Sequence, residues 1–308
     1  DGARSTWTNT GTLNIDNGTL TISNGGAVHS AKACIGDYTR TKSTVTVDGA
    51  GSMWDNPGMI RITGTLNVTN GGAVTGGTIA SNSIFLPFTD TVNIVNGGSV
   101  STDMIAVRIA NLNGGILKAY SASNANWVSF GKVYVQEGGA TFDTAGYNMG
   151  ISLPLLHGGS AGADGGITKL GAGVLTFFGA NTYNGLTTVN AGTLDLYGTS
   201  SSTAVWNSVL FGTGAEINGG QLIFDYSGGA ADPATMIAGL LGNKIHTTVA
   251  GARVSFYDNT VAKQVVVGLS PVPEPSTLVL LGAGAVSLLG YTWRCRRRPH
   301  LSRRAEPL

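Results

Sequence analysis

Residues 18–28 of the chain read GTLTISNGGAV, residues 64–74 read GTLNVTNGGAV, and residues 90–100 read DTVNIVNGGSV. Each copy opens with alternating apolar and polar residues, the period-two pattern of a half-buried strand. Each copy then breaks at Asn-Gly-Gly, because asparagine and glycine tolerate the positive φ of a sharp turn. The three copies therefore predict equivalent strands that end at equivalent corners.

The spacing of these copies predicts the fold. The copies begin at Gly18, Gly64 and Asp90, so the first distance is nearly twice the second. An interval of about 23–26 residues accommodates both distances if the first contains two repeats. Short strands and Gly/Asn corners at this interval predict an all-β protein, a right-handed parallel β-helix (solenoid) whose stacked coils bury apolar ladders. An antiparallel sandwich, which is also rich in short strands and glycine turns, is the competing fold.

The alternation also assigns a direction to each side chain, because alternate residues of a strand share a face. The residues predicted to point inward are Leu13, Ile15, Leu20, Ile22, Leu66, Val68, Val92 and Ile94. The residues predicted to point outward are Thr12, Asn14, Thr21, Asn67 and Asn93. Before residue 275 the best helix candidate is the short segment 233–241.

The content and distribution of charged residues bear on whether the protein binds nucleic acid. Charged residues make up 11% of the chain, whereas roughly 25% is typical of soluble proteins. Six basic residues and one acid follow Trp293, so residues 1–293 carry 12 Lys and Arg against 16 Asp and Glu, a net charge of −4. A nucleic-acid surface needs a clustered basic stripe. We therefore expect no nucleic-acid partner.

The C-terminal residues 272–298 read VPEPSTLVLLGAGAVSLLGYTWRCRRR. Residues 277–293 hold no charge, and as a helix they would span about 25 Å, the short end of what crosses a bilayer. By the positive-inside rule a basic cluster beyond such a helix stays in the cytoplasm. We predict a transmembrane helix at 277–293 that is stopped by a membrane-stop basic cluster of Arg294, Arg296, Arg297 and Arg298.

The order of Pro273-Glu274-Pro275, hydrophobic segment and arginine cluster resembles the PEP-CTERM sorting signal. The resemblance implies that Pro273, Glu274 and Pro275 form a sorting and processing motif for an exosortase-type enzyme. It implies export, anchoring in the inner membrane through the C-terminal helix before processing, and then the cell surface or extracellular matrix of a Gram-negative-type bacterium. Exopolysaccharide is the further partner that this family suggests.

A second resemblance lies in residues 165–194, which read GGITKLGAGVLTFFGANTYNGLTTVNAGTL. The motif elements TKxGxG at 168–173, GxNTYxG at 179–185 and TVNAGTL at 188–194 resemble the autotransporter-associated β-strand repeat of bacterial surface proteins. This resemblance implies a stretch of β-helix and transfers no catalytic residue.

These patterns divide the chain into five regions. They are β-solenoid repeats at 1–157, the autotransporter-associated repeat at 158–196, a further β-rich region at 197–270, the sorting signal at 271–300 and a basic cytoplasmic tail at 294–308. The chain starts at Asp1 without a charged-then-apolar leader, which predicts either a removed signal peptide or a fragment. With the tail cytoplasmic, Cys34 and Cys295 lie across a membrane from each other and cannot pair.

No catalytic pattern emerges from the spacing of reactive residues. The aspartates are scattered, and the four histidines show no metal-ligand spacing. The string at 158–164 comes near a Ca²⁺-binding repeat but is one residue too long, so we interpret it as a join. We expect no catalytic residue, metal or cofactor, and a non-enzymatic structural or adhesive protein. The alternatives are a carbohydrate-binding adhesin that uses Trp7 and Trp54, or a β-helix polysaccharide-degrading enzyme.

Overall fold

The computed structural model describes residues 4–36, 43–81, 90–200, 204–210 and 212–271. These residues form twenty-three strands and three short helical segments, which confirms the all-β prediction. The first nine strands are β1 (Thr6–Ile15), β2 (Thr19–Ile22), β3 (Ala27–Ile35), β4 (Thr44–Asp48), β5 (Met53–Ile62), β6 (Thr65–Thr69), β7 (Ala73–Ser81), β8 (Thr91–Val95) and β9 (Ser99–Asn113).

The rest of the described chain continues in the same way. Its strands are β10 (Gly115–Ala119), β11 (Asn124–Val135), β12 (Ala140–Asp143), β13 (Met149–Ile151), β14 (Leu155–His157), β15 (Ile167–Leu170), β16 (Val174–Phe177), β17 (Thr187–Val189), β18 (Thr193–Thr199), β19 (Ala215–Ile217), β20 (Gln221–Gly228), β21 (Ile245–His246), β22 (Ala252–Asn259) and β23 (Gln264–Pro271). The helical segments are a 3₁₀ turn (Ala204–Trp206), α1 (Asn207–Leu210) and α2 (Ala234–Ala238).

Early strands pair in parallel with the strand two positions further along the chain. β1, β3, β5, β7 and β9 form one such series, and β2, β4, β6 and β8 form another. Ala27, Met53, Ala73 and Ser99 stand opposite one another in register, one on each successive coil. Two coils therefore separate Ala27 from Ala73, so the long distance between the first two sequence copies does contain two repeats.

The Asn-Gly-Gly units occupy equivalent corners, as predicted. Their asparagines have φ values of 55°, 52° and 50° at Asn24, Asn70 and Asn96. A glycine with positive φ follows each of them. The last glycine is needed for a different reason, because a Cβ at Gly72 or Gly98 would strike a carbonyl oxygen of the preceding coil.

The inward assignment holds for seven of the eight predicted residues, which are buried in the core; Leu20 is half-buried against it. The outward residues Thr12, Asn14 and Thr21 are exposed, while Asn67 and Asn93 are half-buried on the outer surface. Asn93 donates to Asn67 (2.7 Å) and accepts from Asn111 (2.8 Å), so the outer asparagines form a ladder along the stack.

The coil length varies more than the sequence indicated. The coil between the paired residues Ser99 and Ile116 is short, whereas the coil between Glu216 and His246 is nearly twice as long. The ladder fixes only the paired residues, and the connections between faces absorb the difference. The longer coil contains α2, which occupies the middle of the helix candidate at 233–241.

The C-terminal strands depart from parallel pairing. β23 pairs antiparallel with β20 on one side and with β22 on the other. β22 and β23 therefore form a hairpin, which places an antiparallel edge beside the parallel strand β20. The hairpin ends at Pro271, just before the predicted sorting motif.

Candidate functional site

Several polar residues of the 165–194 segment lie inside the coils, among them Lys169, Asn181 and Tyr183. Lys169 of β15 is fully buried. Its ammonium donates to the carbonyl oxygens of Leu170 and Gly171 (both 2.7 Å), to that of Ala191 (3.2 Å) and to the Thr144 hydroxyl (3.1 Å). These acceptors belong to three successive coils. Lys169 therefore braces the stack and presents no amine to a ligand.

Burial lowers the pKa of Lys169 to about 8, and the nearby Asp143 opposes this shift. A low-pKa lysine in a cleft is a candidate base or nucleophile. Here protein oxygens surround the amine on several sides, and the side chain has no exposed surface. The lowered pKa thus reports the cost of burying a charge.

Two other polar residues of the segment are also buried, and one of them, Asn181, connects coils. The Asn181 side chain accepts from the backbone N–H of Leu155 (2.9 Å) and donates to the carbonyl of Val205 (3.4 Å). The buried Tyr183 hydroxyl pairs with the Thr187 hydroxyl (2.9 Å), and burial raises the pKa of Tyr183. The segment resembling the surface-protein repeat therefore contributes two buried side chains, Lys169 and Asn181, that connect neighbouring coils.

The loop before β15 is organised by Asp164, whose side chain is fully buried. One carboxylate oxygen accepts from the N–H groups of Gly166 (2.9 Å) and Gly185 (2.8 Å). The other accepts from the N–H of Asn184 (2.8 Å) and from His157 Nδ1 (2.9 Å). Residues 158–164 come near a calcium-binding repeat in sequence. In the structure Asp164 instead holds the loop that connects β14 to β15.

His157 completes this join. Its Nε2 lies 3.2 Å from the carbonyl oxygen of Ala161, while Nδ1 faces Asp164. The hydrogen bond to Asp164 raises the pKa of His157, and Glu137 adds a weaker effect of the same sign. Glu137 also accepts from the N–H groups of Ser160 and Ala161 (2.7 and 3.1 Å). Within the described residues no group of three or more His, Cys, Asp or Glu is arranged to hold a metal ion.

Asp195 and Asp225 lie on the neighbouring strands β18 and β20, two register positions apart, which sequence spacing did not reveal. The pairing of β18 with β20 brings them near each other although they are distant in the sequence. Burial, and secondarily the charge of Asp225, raise the pKa of Asp195 to about 7. Thr176 donates to Asp195 (3.3 Å), while Ser227 and Gln264 donate to Asp225 (both 2.8 Å). In the sequence, each of these aspartates is marked only as a polar residue within an alternating strand.

The two tryptophans occupy equivalent ladder positions, since both align with Val28. Their environments nevertheless differ. Trp54 is fully buried and donates to the Ser30 hydroxyl (3.0 Å), whereas Trp7 is 49% exposed. Of these two, Trp7 is therefore the one placed to touch a ligand. Cys34 is half-buried, and its thiol donates to the Gly36 carbonyl (3.2 Å).

The predicted sorting residues Pro273, Glu274 and Pro275 lie outside the described residues, as do Arg294, Arg296, Arg297 and Arg298. The predicted span at 277–293 also lies outside them. Among the residues that the structure does describe, no helix is both long and apolar enough to cross a membrane.

Comparison with known families identifies two segments of the chain. The family model of the PEP-CTERM protein-sorting motif matches residues 271–298, beginning where β23 ends. The chain carries a PEP-CTERM sorting motif. The passenger-associated-transport-repeat matches residues 167–196, the segment that contains Lys169, Asn181 and Tyr183. No curated protein and no solved structure matches the chain.

These matches confirm the two resemblances that the sequence carried. The sorting motif implies export and processing by an exosortase-type system at the membrane. The matched residues 271–298 include all three predicted sorting residues and the four arginines of the membrane-stop cluster.

Proposed function

We propose that the protein is a non-enzymatic surface component, a right-handed parallel β-helix that acts structurally or adhesively in an exopolysaccharide matrix. The observation that carries the proposal is the ladder of parallel coils that precedes the sorting motif. The right hand follows from the preference of parallel crossover connections. Before processing, the 277–293 helix anchors the protein in the inner membrane.

The outer surface supports a role that depends on shape. Uncharged side chains stack along one face, with Thr46, Asn67, Asn93 and Asn111 in register. Such a face stays hydrated through hydroxyl and amide groups, and it offers repeated hydrogen-bonding positions at the strand spacing of about 4.8 Å. A polyhydroxylated polymer is the class of partner that this surface suits.

The experiment is expression of the full chain behind a secretory signal peptide, in an exopolysaccharide-producing host that carries an exosortase. We expect the protein at the cell surface, accessible to added protease, and a weaker matrix in a strain that lacks it. A variant with alanines at 273–275 serves as the matched control, because it keeps the β-rich body and loses the sorting signal. Retention of the parent protein in the cytoplasm would contradict the proposal.

A carbohydrate-binding adhesin is the second candidate, and the exposure of Trp7 favours it. Aromatic side chains on a surface can stack against an apolar sugar face. Glycan binding that is lost in Trp7→Ala, with the fold retained, would establish this version. Trp54→Ala is unsuitable for the same test, because it removes a buried side chain and creates a cavity.

A polysaccharide-degrading enzyme would need a pair of catalytic carboxylates. Asp195 and Asp225 are the pair to test, and the proposal of a non-enzymatic role predicts no turnover. The measurement is release of reducing ends from an acidic polysaccharide by the full chain, with Asp195→Asn as the control. Release that Asp195→Asn abolishes would replace the structural proposal with an enzymatic one.

A further inference from the structure

The β22–β23 hairpin has one face toward the core and one toward solvent. Val254 and Phe256 of β22 are half-buried and pack against the core. The alternate residues Arg253, Ser255 and Tyr257 are exposed, as the period of two requires. β22 pairs with β23 alone among the described strands. The hairpin is thus an edge whose outer face has no covering layer within the described residues.

Exposed apolar side chains concentrate at this hairpin and the turn before it. Tyr257 is 66% exposed and Val261, in the turn between the strands, is 95% exposed. Val249 precedes β22 and is 37% exposed. Large apolar side chains at such exposure mark a contact surface when they cluster.

Basic groups accompany these apolar residues. Arg253 lies on the outer face with Tyr257, and Lys263 is exposed in the turn beside Val261. The nearby acid Asp258 faces the other way, where its carboxylate accepts from the Tyr226 hydroxyl (3.1 Å). The outer side of the hairpin therefore combines an aromatic ring, an apolar tip and two cations.

The chain itself places this surface near a membrane. β23 ends at Pro271, and the uncharged run begins at Thr277. The five intervening residues reach about 18 Å at most, at ~3.5 Å for each extended residue. An eight-residue strand is about 27 Å long. A tether shorter than the hairpin holds it within reach of the bilayer into which residues 277–293 would insert.

We propose that the outer face of the β22–β23 hairpin rests on the membrane surface before processing, with anionic phospholipid headgroups as its partner. Tyr257 and Val261 enter the interfacial layer, while Arg253 and Lys263 contact lipid phosphates. This inference rests on the proposed membrane anchoring. It adds that the folded body lies against the bilayer beside its helix, rather than standing free at the end of a tether.

Two general preferences support this assignment. Tyrosine is enriched where a protein meets the headgroup layer, because its ring is apolar and its hydroxyl is polar. Lysine and arginine close to an anionic leaflet each contribute about 1 kcal/mol, equivalent to about a fivefold change in binding. The hairpin presents both chemistries on one side.

The test uses the full chain reconstituted in vesicles, with Cys34→Ser and Cys295→Ser removing the native thiols. A fluorophore is attached through Val261→Cys at the hairpin, or through Met59→Cys as the matched control on an early coil, where Met59 is 40% exposed. The vesicles contain phosphatidylcholine alone, or equal parts phosphatidylcholine and phosphatidylglycerol. Quenching is measured with spin-labelled lipid and with a water-soluble quencher.

We expect lipid quenching and loss of aqueous quenching at the Val261 position but not at the Met59 position. Tyr257→Ser should weaken both effects, and the double variant Arg253→Gln with Lys263→Gln should remove the preference for phosphatidylglycerol. Equal aqueous quenching at both positions in a vesicle-bound chain would overturn the inference and leave anchoring intact. Failure of the chain to float with vesicles would overturn the anchoring proposal as well. Shielding from water without lipid quenching would overturn the inference in favour of a second copy.

Discussion

Asp164→Ala tests whether the join before the passenger-associated-transport-repeat depends on one carboxylate. The substitution deprives the N–H groups of Gly166, Asn184 and Gly185 of their acceptor. An orphaned buried donor costs ~1–3 kcal/mol. Water can enter part of the emptied space and bind some of these donors. We therefore expect the free energy of unfolding to fall by about 3–6 kcal/mol in total. That is a large share of the free energy of unfolding of a typical domain, which is ~5–15 kcal/mol.

The assay is hydrogen exchange of the full chain, because stacked repeats open locally rather than in one step. Amides of residues 164–166 and 184–186 should exchange much faster in Asp164→Ala, and the urea midpoint should fall. Asp164→Asn should lie between this variant and the parent, since an amide retains one acceptor oxygen. Asp16→Ala is the control, because Asp16 is exposed. Unchanged exchange at these amides in Asp164→Ala would refute the reasoning.

Further substitutions test the core, the buried charge of Lys169 and the membrane anchor. Leu66→Asp should unfold its coil, because it buries an unpaired charge at a fully buried site; the melting temperature measures this. For Lys169, a folded pKa of about 8, below the usual value of 10.5, means that the unfolded state binds more protons between these values. Stability should therefore rise by at most about 3 kcal/mol as pH increases through this window, and Lys169→Met should abolish the rise. Leu281→Arg with Leu288→Arg should release the protein from the membrane, at roughly 2.5–3.5 kcal/mol for each charge. Replacing residues 273–275 with alanines should leave it bound but unprocessed, as fractionation and the mass of the C-terminal peptide would show.

Each of these predictions would be contradicted by a specific result. A melting temperature unaltered by Leu66→Asp would refute the inward assignment. A pH profile shared by Lys169→Met and the parent would remove Lys169 as the titrating group. Continued membrane binding of the double arginine variant would contradict the predicted span. Normal trimming of the alanine variant would leave an ordinary membrane anchor in place of a sorting signal.

His157 supplies a pH dependence of the opposite sign. Its pKa is raised in the folded state, so its stabilising effect is complete below the unfolded value and is lost as pH rises through the folded value. The 158–163 loop should therefore exchange faster with increasing pH in the parent, beyond the intrinsic rate, than in His157→Gln. Identical pH dependence in the two proteins would contradict the role of the imidazolium.

The sequence by itself determined the strands, their buried faces, their turns and the two contiguous motifs, because each of these depends on residues close together in the chain. Alternating residues and Asn-Gly-Gly corners specify strand, face and turn within a short stretch of chain, so the two coils between the first two copies followed from spacing alone. The sorting motif and the transport repeat were also legible, because each is a contiguous string. Leu20 is half-buried rather than buried because its strand belongs to the first described coil and pairs on one side only.

Only the tertiary structure decided which polar residues lie inside and which distant ones meet. Lys169 carries no local sign of burial in the sequence, yet coil stacking surrounds it with acceptors that range from Thr144 to Ala191. Asp195 and Asp225 come near each other because β18 pairs with β20, and since coil length varies, their separation in the sequence did not predict this pairing. The antiparallel hairpin before Pro271 was equally hidden, since a strand's alternation records which face is buried but not the direction of its partner.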